Sequence, residues 1–81
     1  MTKEEIFAEI QNFLVTEFEI DKEKITLESK LYDDLELDSI DAIDLMVKMK
    51  EFIQGKIQPD QFKQAVTIQD IIEIIYPLIN P

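Results

Sequence analysis

Ile6, Phe7, Ile10, Phe13, Leu14 and Phe18 recur at the three- and four-residue spacing of one helical face. Just upstream, Thr2 and Glu5 stand three apart, so that a hydroxyl at the N-cap and a glutamate in the first turn can satisfy each other's amides. The pattern predicts a first helix over about residues 3–18, with its aromatic stripe in the core. Residues 19–37 keep apolar positions (Ile20, Ile25, Leu27, Leu31, Leu35, Leu37) but no sustained period. They read as a long ordered connection pinned to the core by its leucines and isoleucines, with room for a helical turn around Leu31 to Leu35. Asp38 and Asp41 then mark a second helix start, with Ser39 as its first residue, an expected end near Ile53 and Gly55 as a natural stop. Pro59 opens a short third helix reaching about Gln64. Thr67 and Asp70 repeat the capping spacing, and Ile68, Ile71, Ile72, Ile75 and Ile79 form the stripe of a last helix. A proline lacks the amide that a helix interior needs, so Pro77 is expected to end or kink that helix near Tyr76. The fold class is therefore all-α: a four-helix bundle with three longer helices, one short helix and a long first loop.

Eighty-one residues make one domain, 1–81, with a thin core. The chain holds no cysteine, histidine, tryptophan or arginine, and its eight lysines face 18 acids, for a net charge of −10. Nucleic-acid binding needs clustered cations and is excluded by that balance, as is attraction to anionic membrane. The acidity suits a basic partner steered by charge, or only keeps the chain in solution. The opening Met1-Thr2-Lys3-Glu4-Glu5 starts a polar helix rather than a signal peptide, and no apolar run approaches the roughly 18 residues of a membrane span. The expected setting is cytoplasmic and the expected state a monomer.

The missing residue types also narrow the chemistry. Without histidine or cysteine there is no activated serine or thiol nucleophile pair, and without arginine no guanidinium clamp. Carboxylates alone in so small a bundle have little room for a deep pocket, so no catalytic residue is expected. Asp33, Asp34, Glu36 and Asp38 lack the alternation, central glycine and closing glutamate of a calcium loop, so no metal site is expected either.

Two serines remain. Ser29 lies in the polar run Glu28-Ser29-Lys30 and reads as a loop residue. Ser39 follows the N-cap Asp38, where a hydroxyl is exposed and the helix start tolerates an attached phosphate. By itself it reads first as a serine that merely suits a helix start. Its surroundings add weight, because residues 31–47 hold six acids and no base. With Ile40 at 0°, Phe52, Leu45, Met49, Ile53 and Met46 fall at about 120° to 240° on a helical wheel, on the core face. Val47 returns to within about 20° of Ile40, and Asp41, Asp44 and Glu51 lie within about 100° of it. Two branched apolar residues among acids, away from the core, make a docking face. The alternative is that Val47 packs beneath the 19–37 loop. Ile43, near 300°, belongs to either side.

The run Leu35-Glu36-Leu37-Asp38-Ser39-Ile40-Asp41 resembles the Asp-Ser-Leu attachment motif of the acyl carrier protein family. The likeness continues through Ala42-Ile43-Asp44-Leu45 to Thr67-Ile68-Gln69-Asp70, which is similar to the start of that family's last helix. The resemblance implies a four-helix carrier without catalytic activity. Ser39 would bear a covalent 4′-phosphopantetheine taken from coenzyme A by a phosphopantetheinyl transferase. Acyl groups would ride on the arm's thiol as thioesters between acyl-loading, ketosynthase and other enzymes of fatty-acid or polyketide type. Carried over by position, Asp38, Asp41, Asp44 and Glu51 would meet basic residues of those partners, with Ile40 and Val47 in apolar contact. A peptidyl or D-alanyl carrier would share the modified serine, although the Gly-Gly lead-in common in peptidyl carriers is absent. A protein-binding bundle without a prosthetic group is the reading from another class. Three departures stand out: Glu36 occupies a position where the family commonly has glycine and is expected to take ordinary dihedrals, Ile40 replaces leucine, and Lys48 and Lys50 interrupt the acidic face. They point to a stand-alone carrier of a specialised pathway.

Overall fold

A computed structural model describes residues 1–53 and 59–80. Four helices, α1 (Lys3–Phe18), α2 (Ser39–Met49), α3 (Pro59–Lys63) and α4 (Ile68–Ile79), pack around one apolar cluster, with a one-turn 3₁₀ helix at Lys22–Lys24 in the first loop. The expected Gly55 stop falls outside the described residues. Ile6, Ile10 and Leu14 of α1 are fully buried, and Phe7, Phe13 and Phe18 pack against the cluster from its edge. All five isoleucines of the α4 stripe are buried. From α2 come Leu45, Met46, Met49 and also Ala42, which falls at about 200° on the same wheel and so on its core face.

All three long helices start on a reciprocal capping box. In α4 the box takes in one more amide. Asp70 accepts hydrogen bonds from the amides of Val66 (2.9 Å) and Thr67 (3.1 Å), while its own amide donates to Thr67 Oγ1 (3.1 Å). These two amides, Val66 first, hold the Asp70 carboxyl below its ordinary range. The folded chain thus binds the Asp70 proton less readily than the unfolded chain. The stabilisation is complete above the unfolded value, near 3.9, and is lost as pH falls through the lower folded value. Asp70→Asn is therefore expected to lower the urea midpoint at pH 7. The gap to the native chain should shrink as the pH is brought below about 4. A gap that is constant from pH 7 to pH 3 would show that charge on Asp70 contributes nothing.

The first loop is a structural element rather than a tether. Ile25, Leu31, Leu35 and Leu37 are buried as expected and Ile20 is half-buried, but Leu27 lies 45% exposed. The segment from Lys30 to Leu35 forms the expected turn, with Asp34 and Leu35 amides both donating to the Lys30 carbonyl at 3.0 Å. Ser29, which the polar run marks as an ordinary loop residue, is instead 6% exposed and organises the loop. Its hydroxyl donates to the Lys24 carbonyl (2.7 Å) and accepts from the Thr26 amide (2.9 Å). Because that single proton goes to a carbonyl, the Thr26 hydroxyl is the donor in the 3.0 Å contact between the two side chains. The loop also closes the start of α4: Ile68 donates to the Ser29 carbonyl (3.1 Å), Gln69 to the Leu27 carbonyl (2.9 Å), and Leu31 to the Val66 carbonyl (2.9 Å). One isolated antiparallel bridge, Lys30 to Thr67, results.

Helix boundaries depart from the sequence reading at two ends. α2 stops at Met49 rather than near Ile53. Beyond it the amides of Glu51, Phe52 and Ile53 donate three residues back, to Lys48, Met49 and Lys50, so the chain tightens while still placing Phe52 and Ile53 against the core. α4, in contrast, runs through Pro77 to Ile79. The proline removes one amide within the last turn, but Ile79 is buried, Leu78 packs on the core and the Asn80 amide recovers the Tyr76 carbonyl at 2.9 Å. That packing outweighs one lost backbone bond. At the chain ends, the Met1 ammonium donates to Asn80 Oδ1 (3.0 Å) and Lys3 pairs with Glu73 (3.1 Å), tying α1 to α4.

Candidate functional site

The start of α2 differs chemically from the start of α4. A helix leaves its first four amides without intrahelical partners. In α4 all four are used, two by the capping box and two by loop carbonyls. In α2 the box uses two: Asp38 donates to Asp41 Oδ2 (3.1 Å) and Asp41 to Asp38 Oδ1 (2.9 Å). The amides of Ser39 and Ile40 have no acceptor among the described residues. The second and third amides of α1 are equally free, but Lys3 and Glu4 stand there and no hydroxyl does.

Ser39 is exposed, and its hydroxyl has no hydrogen-bond partner among the described residues. An acyl- or phosphoryl-type substituent on Ser39 Oγ thus displaces no internal contact, and a phosphate there would meet two free amides and the positive end of the helix. Ser29 offers none of this, being buried with its hydroxyl fully committed. The residues present therefore fit a phosphodiester-linked arm at Ser39 and at no other serine.

Around Ser39 the exposed face of α2 is as the wheel projects it. Ile40 is 67% exposed and Val47 55%, with Ile43 on the outside as well; Asp38, Asp44 and Glu51 are exposed. The alternative of Val47 packing beneath the first loop is excluded by that exposure. Asp41 combines both features the sequence marks. It is only half-exposed, and one of its oxygens serves the Asp38 amide, so it is a capping residue as well as a surface charge. Glu51 pairs with Lys48 at 3.3 Å, which softens the acidity of this stretch without reversing it.

The sequence pattern does not reveal that α1 shares this face. Val47 lines a shallow groove of about 430 Å³ together with Phe13, Glu17 and Phe18 of α1, Asp44 and Lys48 of α2, and Glu51 just beyond the end of α2. The edge-to-face pair of Phe13 and Phe18, 5.7 Å between ring centroids, forms its apolar wall. The stripe of α1 placed both rings in the core, and their half-burial is the signal that they also serve a surface.

Among the described residues there is no cluster of three or more carboxylates placed to hold a metal ion, and no helix long and apolar enough to cross a membrane.

Comparison with known proteins places this geometry. Residues 8–75 match the family model described as the phosphopantetheine attachment site. Over 79 residues the chain is 38% identical to acyl carrier protein 2 of Ralstonia nicotianae, covering 98% of each. It is 36% identical over 75 residues to the acyl carrier protein of Coprothermobacter proteolyticus, covering 93% of this chain and 92% of the relative. Identity to the acyl carrier protein of Phytoplasma mali is 40% over 70 residues, covering 86% and 83%.

Proposed function

The chain belongs to the acyl carrier protein family, and from that premise we propose that Ser39 is the residue that bears its 4′-phosphopantetheine. Proteins of this family are carriers and not catalysts, and they work with a phosphopantetheinyl transferase and acyl-processing enzymes. The observation that carries the assignment is the contrast between the two serines. Ser39 is exposed and, among the described residues, unbonded and beside two free amides, whereas Ser29 is buried and doubly bonded. In the loading reaction a bond forms between Ser39 Oγ and the arm's phosphorus. The phosphoanhydride bond of coenzyme A breaks, the adenosine bisphosphate half departs, and the serine proton is lost to the transferase's base. Once attached, the arm supplies a terminal thiol that holds acyl groups as thioesters, which explains how a chain without cysteine serves thiol chemistry. Intact mass after incubation with coenzyme A and a broad-specificity transferase tests the assignment, with Ser39→Ala as the decisive variant.

The whole of residues 1–81 acts in this reading as one monomeric cytoplasmic carrier domain. Its docking surface comprises Asp38, Ile40, Asp41, Asp44, Val47 and Glu51, presented to basic surfaces of partner enzymes. Asp44 is the cleanest charge to reverse, since Asp41 also caps α2. Asp44→Lys is expected to slow association with the transferase, most clearly at low salt, because steering attraction becomes repulsion. Val47→Ala is expected to speed dissociation with little salt dependence and to leave the melting temperature nearly unchanged, as the side chain is already exposed. Surface plasmon resonance on both variants at two salt concentrations reads these effects. Identical rate constants for both variants and the native chain would remove α2 from the docking surface.

A further inference from the structure

Lys48 and Lys50 stand where the acidity of α2 stops, and an acidic docking face gives neither of them a role. Residues 31–47 hold six acids and no base, whereas residues 48–66 hold four lysines against two acids. Half of the chain's eight lysines thus fall in one net-positive stretch of a chain whose net charge is −10. The structure sorts the outer side of α2 into two rows. Ile40, Ile43 and Val47, all exposed, follow one another at helical spacing, and Lys50 continues that row past Val47. Asp41 and Asp44 begin the neighbouring row, which Lys48 and Glu51 finish. Those last two pair at 3.3 Å, so their charges offset each other. Lys50 is exposed and makes no ion pair among the described residues, and it is the charge that the end of α2 presents. At about 1.5 Å per residue it stands about 9 Å from Asp44 and about 13 Å from Asp41 along the helix axis. A lysine at a helix end also complements the macrodipole. However, α1 and α4 have no basic residue in their last turns, and Lys48 already supplies one to α2. The needs of the helix end therefore do not account for Lys50.

We infer that α2 is a two-signed docking face, and that the acyl-processing enzyme it serves sets cations against Asp38, Asp41 and Asp44 and a carboxylate against Lys50. The inference rests on α2 being the docking surface. A face of one sign gives a basic surface little reason to prefer one direction along the helix. A negative start and a positive end attract a surface with the mirrored order of charges, and a cation placed opposite Lys50 is repelled. Lys50 thus fixes the direction in which α2 lies on the enzyme. It also turns away enzymes whose docking surface carries cations throughout.

The probe is a fatty-acid ketosynthase whose docking surface carries cations only, presented with the chain bearing its arm. Association rate constants are read by surface plasmon resonance at about 10 mM and about 300 mM salt, where charges act over roughly 30 Å and less than about 8 Å. Against this enzyme Lys50 is a repulsive charge. Lys50→Gln is expected to associate about twofold faster than the native chain at low salt. Lys50→Glu changes twice the charge and should associate about fourfold faster, and both gains should close at high salt. Each cation of the enzyme's docking surface is then reversed to glutamate in turn. On one of these enzymes the order is expected to invert, with the native chain faster than Lys50→Glu. Lys50→Glu no faster than native on the parent enzyme overturns the inference, and so does the absence of any inversion. Lys50→Gln melting below native while associating at the native rate overturns it too, since the lysine would then serve only the helix end. Failure of α2 as the docking surface looks different: Asp44→Lys would then associate at the native rate as well.

Discussion

Ser39→Ala is expected to gain no mass on incubation with coenzyme A and a phosphopantetheinyl transferase, while the native chain converts completely. The effect is all or none because the variant lacks the oxygen on which the new phosphorus bond forms. It is interpretable because the substitution leaves the fold alone. The Ser39 hydroxyl has no partner among the described residues, and the Asp38–Asp41 capping box uses neither the Ser39 side chain nor its amide. Its melting temperature should therefore stay within a few degrees of native, as for other surface substitutions. Ser29→Ala is the opposite control. It breaks the bonds to Lys24 and Thr26 in a buried setting, which costs roughly 1–3 kcal/mol, but the folded fraction should take up one arm. A mass gain on Ser39→Ala, or its loss on folded Ser29→Ala, would move the attachment site off the start of α2.

What the sequence made legible follows the physics of each signal. Helix starts were readable because a capping box is a chemical unit of four residues, and Thr2, Asp38 and Thr67 each sit in one. The cores of α1 and α4 were readable because their stripes have the helical period. The exposed face of α2 followed from the same geometry, so Ile40, Asp44 and Val47 were placed correctly, and Ser39 with them. Contacts between distant segments have no such local signature. Nothing in Glu28-Ser29-Lys30 reveals that Ser29 fixes the loop, or that the Ser29 and Leu27 carbonyls receive the first amides of α4. Leu27 counts as apolar in any pattern, yet it faces outward because its carbonyl, not its side chain, does the binding. The left-handed backbone at Glu36 was misjudged for a related reason. Residue type argues against it, and what requires it is the closure of the preceding turn, where the Leu37 amide reaches back to the Leu31 carbonyl. α4 does not end at Pro77 because the lost amide is a local cost and the burial of Ile79 is a tertiary gain.

The first loop's role sets the largest stability effect expected outside the helices. Leu31→Ala should destabilise the protein by about 2–5 kcal/mol, as deletion of a fully buried leucine side chain does elsewhere. Leu31 has no exposed surface, and its backbone works on both sides: its amide donates to the Val66 carbonyl at 2.9 Å and its carbonyl accepts from Leu37 at 3.0 Å. It thereby joins the start of α4 to the segment that leads into Ser39. At roughly 0.05–0.15 kcal/mol per residue, an 81-residue domain holds about 4–12 kcal/mol in all, so this one truncation consumes a large part of it. At about 4–8 °C per kcal/mol, the melting temperature should fall by at least about 8 °C, and the weaker end of the range leaves a chain largely unfolded at physiological temperature. Leu27→Ala supplies the internal comparison. It removes the same atoms four residues earlier, from a side chain that is 45% exposed, and should cost far less. Chemical melts of the two variants decide between a loop that is part of the core and a flexible connection between helices. If the loop were only a connection, both truncations would shift the midpoint by similar small amounts. The predicted asymmetry also reaches the site. The cavity left by the Leu31 side chain loosens the packing beneath the turn that leads into Ser39, so residual folded Leu31→Ala should be loaded by the transferase more slowly than folded Leu27→Ala at equal concentration.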